Sequence, residues 1–521
     1  MSAIRDVVII GGGHNALVAA AYLARAGRTV TVLERQDHVG GAAVSERPWA
    51  GVDARLSRYS YLVSLLPRTV IDDLGLRIRL ERRRYSSYTP LPDDPGRGIL
   101  IDNADAAATA ASFARATGDT DEAGRFARFS ERTAPLAATL FPTVTAPLRR
   151  EHDARAAVGD DALWEAMTAR PLGEFISEGL RTDVARGIAF TDGLIGTFAR
   201  SDDATLRQNR CFLYHVIGGG TGDWDVPVGG MGAVSGELER AARAAGAEIR
   251  TGAEVVAVSP DGAVDLADGE RVGARVVLSG VGAALLDRLL RAGGAAGTGA
   301  PLPEGAQIKV NMLLSRLPRL RDASVDPRAA FAGTFHINET LTQVDAAYDR
   351  AASGGIPDPL PAEIYCHSLT DPSILGPELR ASGAQTLTLF GLQVPHRLVA
   401  DGTADRDALW EAARRSLDSV LAEPIADVLY RTPDGEPCVE ARTTGDLERD
   451  LGMLGGDIFH GDLSWPWAAD DEPLETPAQR WGVSSGVDGV LLCGSSARRG
   501  GAVSGIGGHN AAMAALEMLA G

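Results

Sequence analysis

Gly11, Gly13 and Ala16 occupy the three small positions of a G-x-G-x-x-G/A turn, directly after the apolar run 7–10 (VVII). That spacing does one kind of chemistry, the binding of a dinucleotide. The first glycine permits a tight turn, the second lets backbone approach a pyrophosphate, and the third small residue lets helix pack on strand. Glu34 follows Ala16 by 18 residues, at the end of the β-branched run RTVTVLE. A carboxylate there can accept hydrogen bonds from ribose hydroxyls, and it disfavours a 2′-phosphate without separating NAD from FAD. His14, His460 and His509 are candidates for moving a proton at neutral pH. No HExxH or comparable histidine spacing occurs, so no metal is expected. The string GVSSG at 482–486 matches GxSxG, but it precedes an apolar strand instead of following one, and it reads as a loop.

The elements needed to hold these residues are legible around them. Residues 5–34 read as strand, glycine turn, buried helix (16–26), a left-handed cap at Gly27 and a second strand. Residues 104–215 are helical, broken at Pro135, Pro142 and Pro171. Strand and helix alternate again over 228–295, and GGAAGTGAPLP at 293–303 is a linker candidate. Residues 305–445 mix strands such as IKVNMLL and QTLTLFGL with a helix near 405–421. A strand at 490–493, a glycine turn and a helix from about Asn510 close the chain. Glycine-turn-helix patterns at the start, middle and end predict an α/β fold with one Rossmann-like domain, its parallel sheet assembled from segments 1–95, 216–295 and 481–521. Segments 96–215 and 296–480 would form a second α+β substrate domain, a mixed sheet with helical cover.

Composition narrows the function. A net charge of -18 disfavours nucleic acid as a partner. The basic run 77–84 (RIRLERRR) reads as a solvated face. Four scattered cysteines suit a reducing compartment, and no apolar run reaches 18 residues. A cytoplasmic location is expected, with peripheral membrane contact through a local patch left open. Aromatic residues make up 5% of the chain, which gives no sign of an aromatic cage. The stretch 278–290 offers a GxG but no third small residue or acid in register, so a second dinucleotide site is not expected.

The E-x-x-x-x-x-G-G extension formed by Glu34 and RQDHVGG (35–41) resembles that of the glutathione-reductase-like FAD proteins. More narrowly, the chain resembles the phytoene-dehydrogenase-like flavoproteins, which include carotenoid desaturases, isomerases and carotene ketolases. The likeness rests on VVIIGGGHNALVAAAYLARAG with VLERQDHVGGAAVSE, on SRYSYLVSLLP, on GDWDVPVGGMGAVSGELERAARAAGAEIRTGAEV, on GGDIFHGDLS, and on LLCGSSARRGGAVSGIGGHNAA. It implies FAD as cofactor. The implied contacts fall at Gly11, Gly13, His14, Asn15, Ala16, Glu34, Arg35, Gly40, Gly41 and Ala42, with the adenine at Val255 or Val256. Gly494, Ser495, Gly505, Ile506 and Asn510 would lie beside the ribityl chain and flavin. Two departures stand out: Gly494-Ser495 replaces a frequent Gly-Asp, and Arg498-Arg499 replace smaller residues. The implied activity is desaturation, or isomerisation, of a hydrophobic isoprenoid or polyene substrate. The same motifs admit an amine or amino-acid oxidase, or a flavin-binding interaction protein with little turnover.

Overall fold

Alternating apolar residues on the first strand set the layering of one half of the molecule. The structure, a computed structural model, describes residues 4–520. Strand Arg5–Ile10 pairs in parallel with Val30–Leu33 on one side and with Arg271–Ser279 on the other. Val7 and Ile9 face helices His14–Arg25, Met231–Ala244 and Ile506–Ala520, whereas Val8 and Ile10 face helix Ala283–Ala292. A strand buried on both faces must be apolar at every position, which is why VVII shows no polar alternation. Glu248–Arg250 and Val490–Leu492 extend the parallel part; Val255–Val258 and Ala263–Leu266 add antiparallel strands.

The second sheet has seven strands in the order Val439–Arg442, Ile308–Leu314, Gln385–Gly391, Ala362–Tyr365, Thr334–Ile337, Tyr85–Pro90 and Gly98–Asp102. Its two faces differ. Val310, Met312, Phe335, Ile337, Ile364, Leu387 and Leu389 pack against helix Arg406–Val420 in one core. The alternate residues, among them Lys309, Asn311, His336, Glu363, Tyr365 and Thr388, carry polar groups to the other face. Register aligns them, with His336 opposite Glu363, Tyr365 opposite Thr388, and Asn311 opposite Thr388. Helices between Ala106 and Ile217 build a further apolar core alongside. No helix among the described residues is long and apolar enough to cross a membrane.

Two boundaries differ from the sequence expectation. Strand Tyr85–Pro90 lies before residue 95, yet it belongs to the second sheet. The preceding basic stretch forms only the short strand Leu80–Glu81, paired with Val226–Pro227, so the chain crosses between sheets earlier than expected. The last helix begins at Ile506, not near Asn510. Gly507 and Gly508 look like helix breakers in sequence, but here they permit close packing. A Cβ on Gly508 would overlap the carbonyl oxygen of Asn15 on the first helix. Gly508→Ala is therefore expected to destabilise the protein by about 1–3 kcal/mol through overpacking, read as a lower urea midpoint at unchanged m-value.

Candidate functional site: a dinucleotide groove joined to a buried chamber

Gly11 takes φ +83° at the end of the first strand, a left-handed conformation that turns the chain sharply. The next amide is held by the acid, as Gly12 N donates to Glu34 Oε2 at 2.7 Å while Gln36 N donates to Oε1 at 2.8 Å. Gly40, at φ +122°, donates its N–H to Gly12 O at 2.9 Å. The RQDHVGG extension is thus clamped onto the first turn. A Cβ on Gly12 would strike Val39 at 2.8 Å, but one on Gly13 would meet nothing within 4 Å. The turn is closed on its inner side and open at Gly13.

That open side looks into one cavity of about 990 Å³. Gly11, Gly13, His14, Asn15, Ala16, Glu34, Arg35, Gly41 and Ala42 line it, as do Val255, Val256, Gly494 and Ser495. Gly40, Gly505, Ile506, His509 and Asn510 are not among its lining residues. Gly40 supports the turn from behind, and a Cβ on Gly505 would meet Val18 at 3.0 Å. Asn510 donates from Nδ2 to Val144 O, and Ile506 is buried in packing. His509 is corrected as a proton-transfer candidate. Its ring lies edge-on to Tyr22, 4.9 Å between centroids, and its Nδ1 engages Asn510 Oδ1. Burial holds its pKa below the usual imidazole value. Arg35 lines the groove, but its Nη2 is tied to the Arg449 and Asp450 carbonyls. Arg498 and Arg499 turn away from the cavity. Arg499 donates to the carbonyls of Thr143, Ala146 and Trp481, and Arg498 pairs with Glu472.

The other two histidines line the cavity. Burial brings the pKa of each down to about 4, so both rings are neutral at pH 7. His14 Nε2 faces the Ala502 carbonyl at 3.1 Å and so carries the proton. His460 is held at φ +63°, and neither of its ring nitrogens has a partner. Strained backbone and unpaired buried polar atoms concentrate where ligands bind. Asn15 Oδ1 is likewise buried without a partner beside the turn. Open glycine, acid and orphaned polar atoms together fit a dinucleotide.

Beyond this groove the cavity widens into a chamber walled by Phe126 and Phe129, Ile188, Ile195 and Phe212 from the helical cover, with Phe390 from the sheet. Its polar end is the sheet face described above. His336 Nδ1 donates to Glu339 Oε2 at 2.6 Å, and Thr191 Oγ1 donates to the same oxygen at 2.9 Å. Tyr365 donates its hydroxyl hydrogen bond to Glu363 Oε2. Tyr61 and Tyr365 form an aromatic pair, 4.4 Å between centroids and tilted by 36°. Burial and the neighbouring Glu339 raise the Glu363 pKa to about 8. For His336, burial acts downward, but Glu339 and Glu363 outweigh it and hold the imidazole above its ordinary value. Ligand atoms of His336, Glu339 and Glu363 lie within 4.8 Å of one another, so these three could also hold a metal ion.

Sequence reasoning missed this array. The signal was a polar residue at alternate positions of two otherwise apolar strands, TFHI and AEIY. In the run 77–84 the arginines Arg77, Arg79, Arg82 and Arg84 are exposed as expected, and Arg83 alone is half-buried at the cavity wall.

Comparison with known proteins agrees with the groove. The family described as NAD(P)-binding Rossmann-like domain matches residues 9–69. An uncharacterised protein of Mycobacterium tuberculosis is 54% identical across 99% of this chain and 97% of its own length. The pyridine nucleotide-disulfide oxidoreductase domain-containing protein 2 of Rattus norvegicus is 31% identical across 97% of this chain and 92% of its own. Among solved structures, putrescine oxidase bound to putrescine aligns over 100% of both chains with a TM-score of 0.59 at 17% identity, a likeness of fold.

Glu34→Ala should weaken dinucleotide binding by roughly 10- to 100-fold, the worth of a hydrogen bond to a charged group. Fluorescence titration of the apoprotein measures it, and a smaller loss is expected for Glu34→Gln.

Proposed function

Since this chain belongs to the family of the pyridine nucleotide-disulfide oxidoreductase domain-containing protein 2, Rossmann-type FAD oxidoreductases on the amine-oxidase fold, we propose that it dehydrogenates a hydrophobic substrate of isoprenoid or polyene type. The observation that carries this reading is continuity. The dinucleotide groove and a chamber walled by phenylalanine and isoleucine are parts of one cavity.

When bound, FAD supplies the acceptor for a hydride leaving a substrate C–H bond. The chain's own part is binding, exclusion of water and proton placement. Gly13 and the N-terminus of helix His14–Arg25 offer backbone N–H groups to the pyrophosphate. Glu34 lines the groove with both oxygens accepting backbone amides, and its remaining lone pairs would receive ribose hydroxyls. Phe129 and Phe212, 6% and 1% exposed, shield the chamber and take up apolar substrate surface at about 25 cal/mol per Å². His14 keeps its proton on Nε2 against Ala502 O, and His460 offers a neutral imidazole.

Amine oxidation is the second reading. It is favoured by the Tyr61–Tyr365 pair and by the likeness of fold to putrescine oxidase. Arg83 counts against it, since it stands at the cavity wall with no carboxylate within ion-pair distance among the described residues, and an ammonium group would meet like charge there.

The purified protein should carry the yellow absorption of oxidised flavin. In the absence of oxygen, isoprenoid or polyene compounds should bleach it and simple alkylamines should not. Bleaching by alkylamines alone would reverse the choice between the two readings, and a colourless protein that cannot be loaded with FAD would refute both.

A further inference from the structure

Arg83 lies two residues before strand Tyr85–Pro90 and is half-buried at the cavity wall. Its neighbour Arg82 is neutralised by Asp223 and Asp225. Among the described residues Arg83 has no carboxylate within ion-pair distance. Its Nε donates to Trp224 O at 3.2 Å and its Nη1 to Thr334 Oγ1 at 3.1 Å, which fixes the guanidinium plane. Nη2 makes no hydrogen bond among the described residues. The group stands over the Tyr365 ring, 5.9 Å from its centroid. We propose that this end of the chamber is a carboxylate-binding site, in which Arg83 receives the acid group of an otherwise apolar substrate. The inference rests on the reading of the chamber as the substrate site.

Three features support a carboxylate over other head groups. A guanidinium stays charged even when half-buried, and its planar fork matches two carboxylate oxygens. The sheet face adds a further polar atom, since His336 lines the cavity with Nδ1 committed to Glu339 and Nε2 unengaged. Finally, among the described residues His336 is paired with Glu339 and Arg82 with Asp223 and Asp225, whereas Arg83 has no such partner. Phe129, Ile188 and Phe212 meanwhile offer only apolar surface to the remainder of the molecule. A fatty or isoprenoid acid matches both ends of the chamber, whereas a hydrocarbon leaves Arg83 unmatched.

Decanoate, decan-1-ol and decylamine provide probes of equal chain length. Calorimetry on FAD-loaded protein should find decanoate bound at least about tenfold more tightly than either of the others, as expected for a charge-assisted fork. Arg83→Met should abolish that preference with FAD content and melting temperature unchanged, and Arg83→Lys should recover only part of it. Equal binding of decanol or decylamine, or full decanoate affinity in a folded, flavin-loaded Arg83→Met, overturns the site. Protein that takes up no FAD refutes the reading beneath it, whereas flavin-loaded protein that ignores decanoate refutes the carboxylate site alone.

Discussion

One carboxylate shapes everything that meets the dinucleotide. Glu34, 9% exposed, accepts the amides of Gly12 and Gln36 on its two oxygens. It ties the first turn to the chain leaving the second strand. Amides that would otherwise be orphaned on a tight turn are satisfied by a charge, a stronger arrangement than a neutral acceptor provides. Gly40 then docks on Gly12 O, and the groove acquires its floor. Without that clamp the open side at Gly13 would have no fixed direction, and the chamber beyond would have no defined relation to a bound cofactor.

The chamber obeys a different constraint. Its polar end sits on a sheet whose opposite face is a closed apolar core. Because side chains alternate, every residue sent to that core sends its neighbour to the cavity. Burying His336, Glu339 and Glu363 together is costly unless they share protons and hydrogen bonds. The His336–Glu339 pair and the Tyr365–Glu363 bond reduce that cost. Glu339 Oε1 still lacks a partner. A polar network sealed beneath a wall of phenylalanines therefore places hydrogen-bonding capacity where a substrate, and not bulk water, can use it.

Local rules made the groove legible. The strand, glycine turn, helix and acid of the first 34 residues are contiguous, and each depends on neighbours within a few positions. Val255, Gly494 and Ser495 were found only through family likeness, since nothing local marks them. The last helix was set too late because Gly507 and Gly508 look like breakers until the first helix is seen against them. Asn510, implied by family likeness, and His509, chosen as a histidine able to move a proton, proved to face helix packing and the Tyr22 ring.

By itself the sequence determined the α/β class, the split sheet and the dinucleotide turn, because hydrophobic period, glycine placement and a following acid act over short range. Only tertiary structure decided the chamber. His336 and Glu363 are 27 residues apart in the chain and become cross-strand neighbours. Arg83 left a run that looks solvated to enter the cavity wall. Tyr61 and Tyr365 met across 304 residues. Such groups acquire their charge states and partners from burial and register, and neither quantity exists until the two sheets and the helical cover have closed around them.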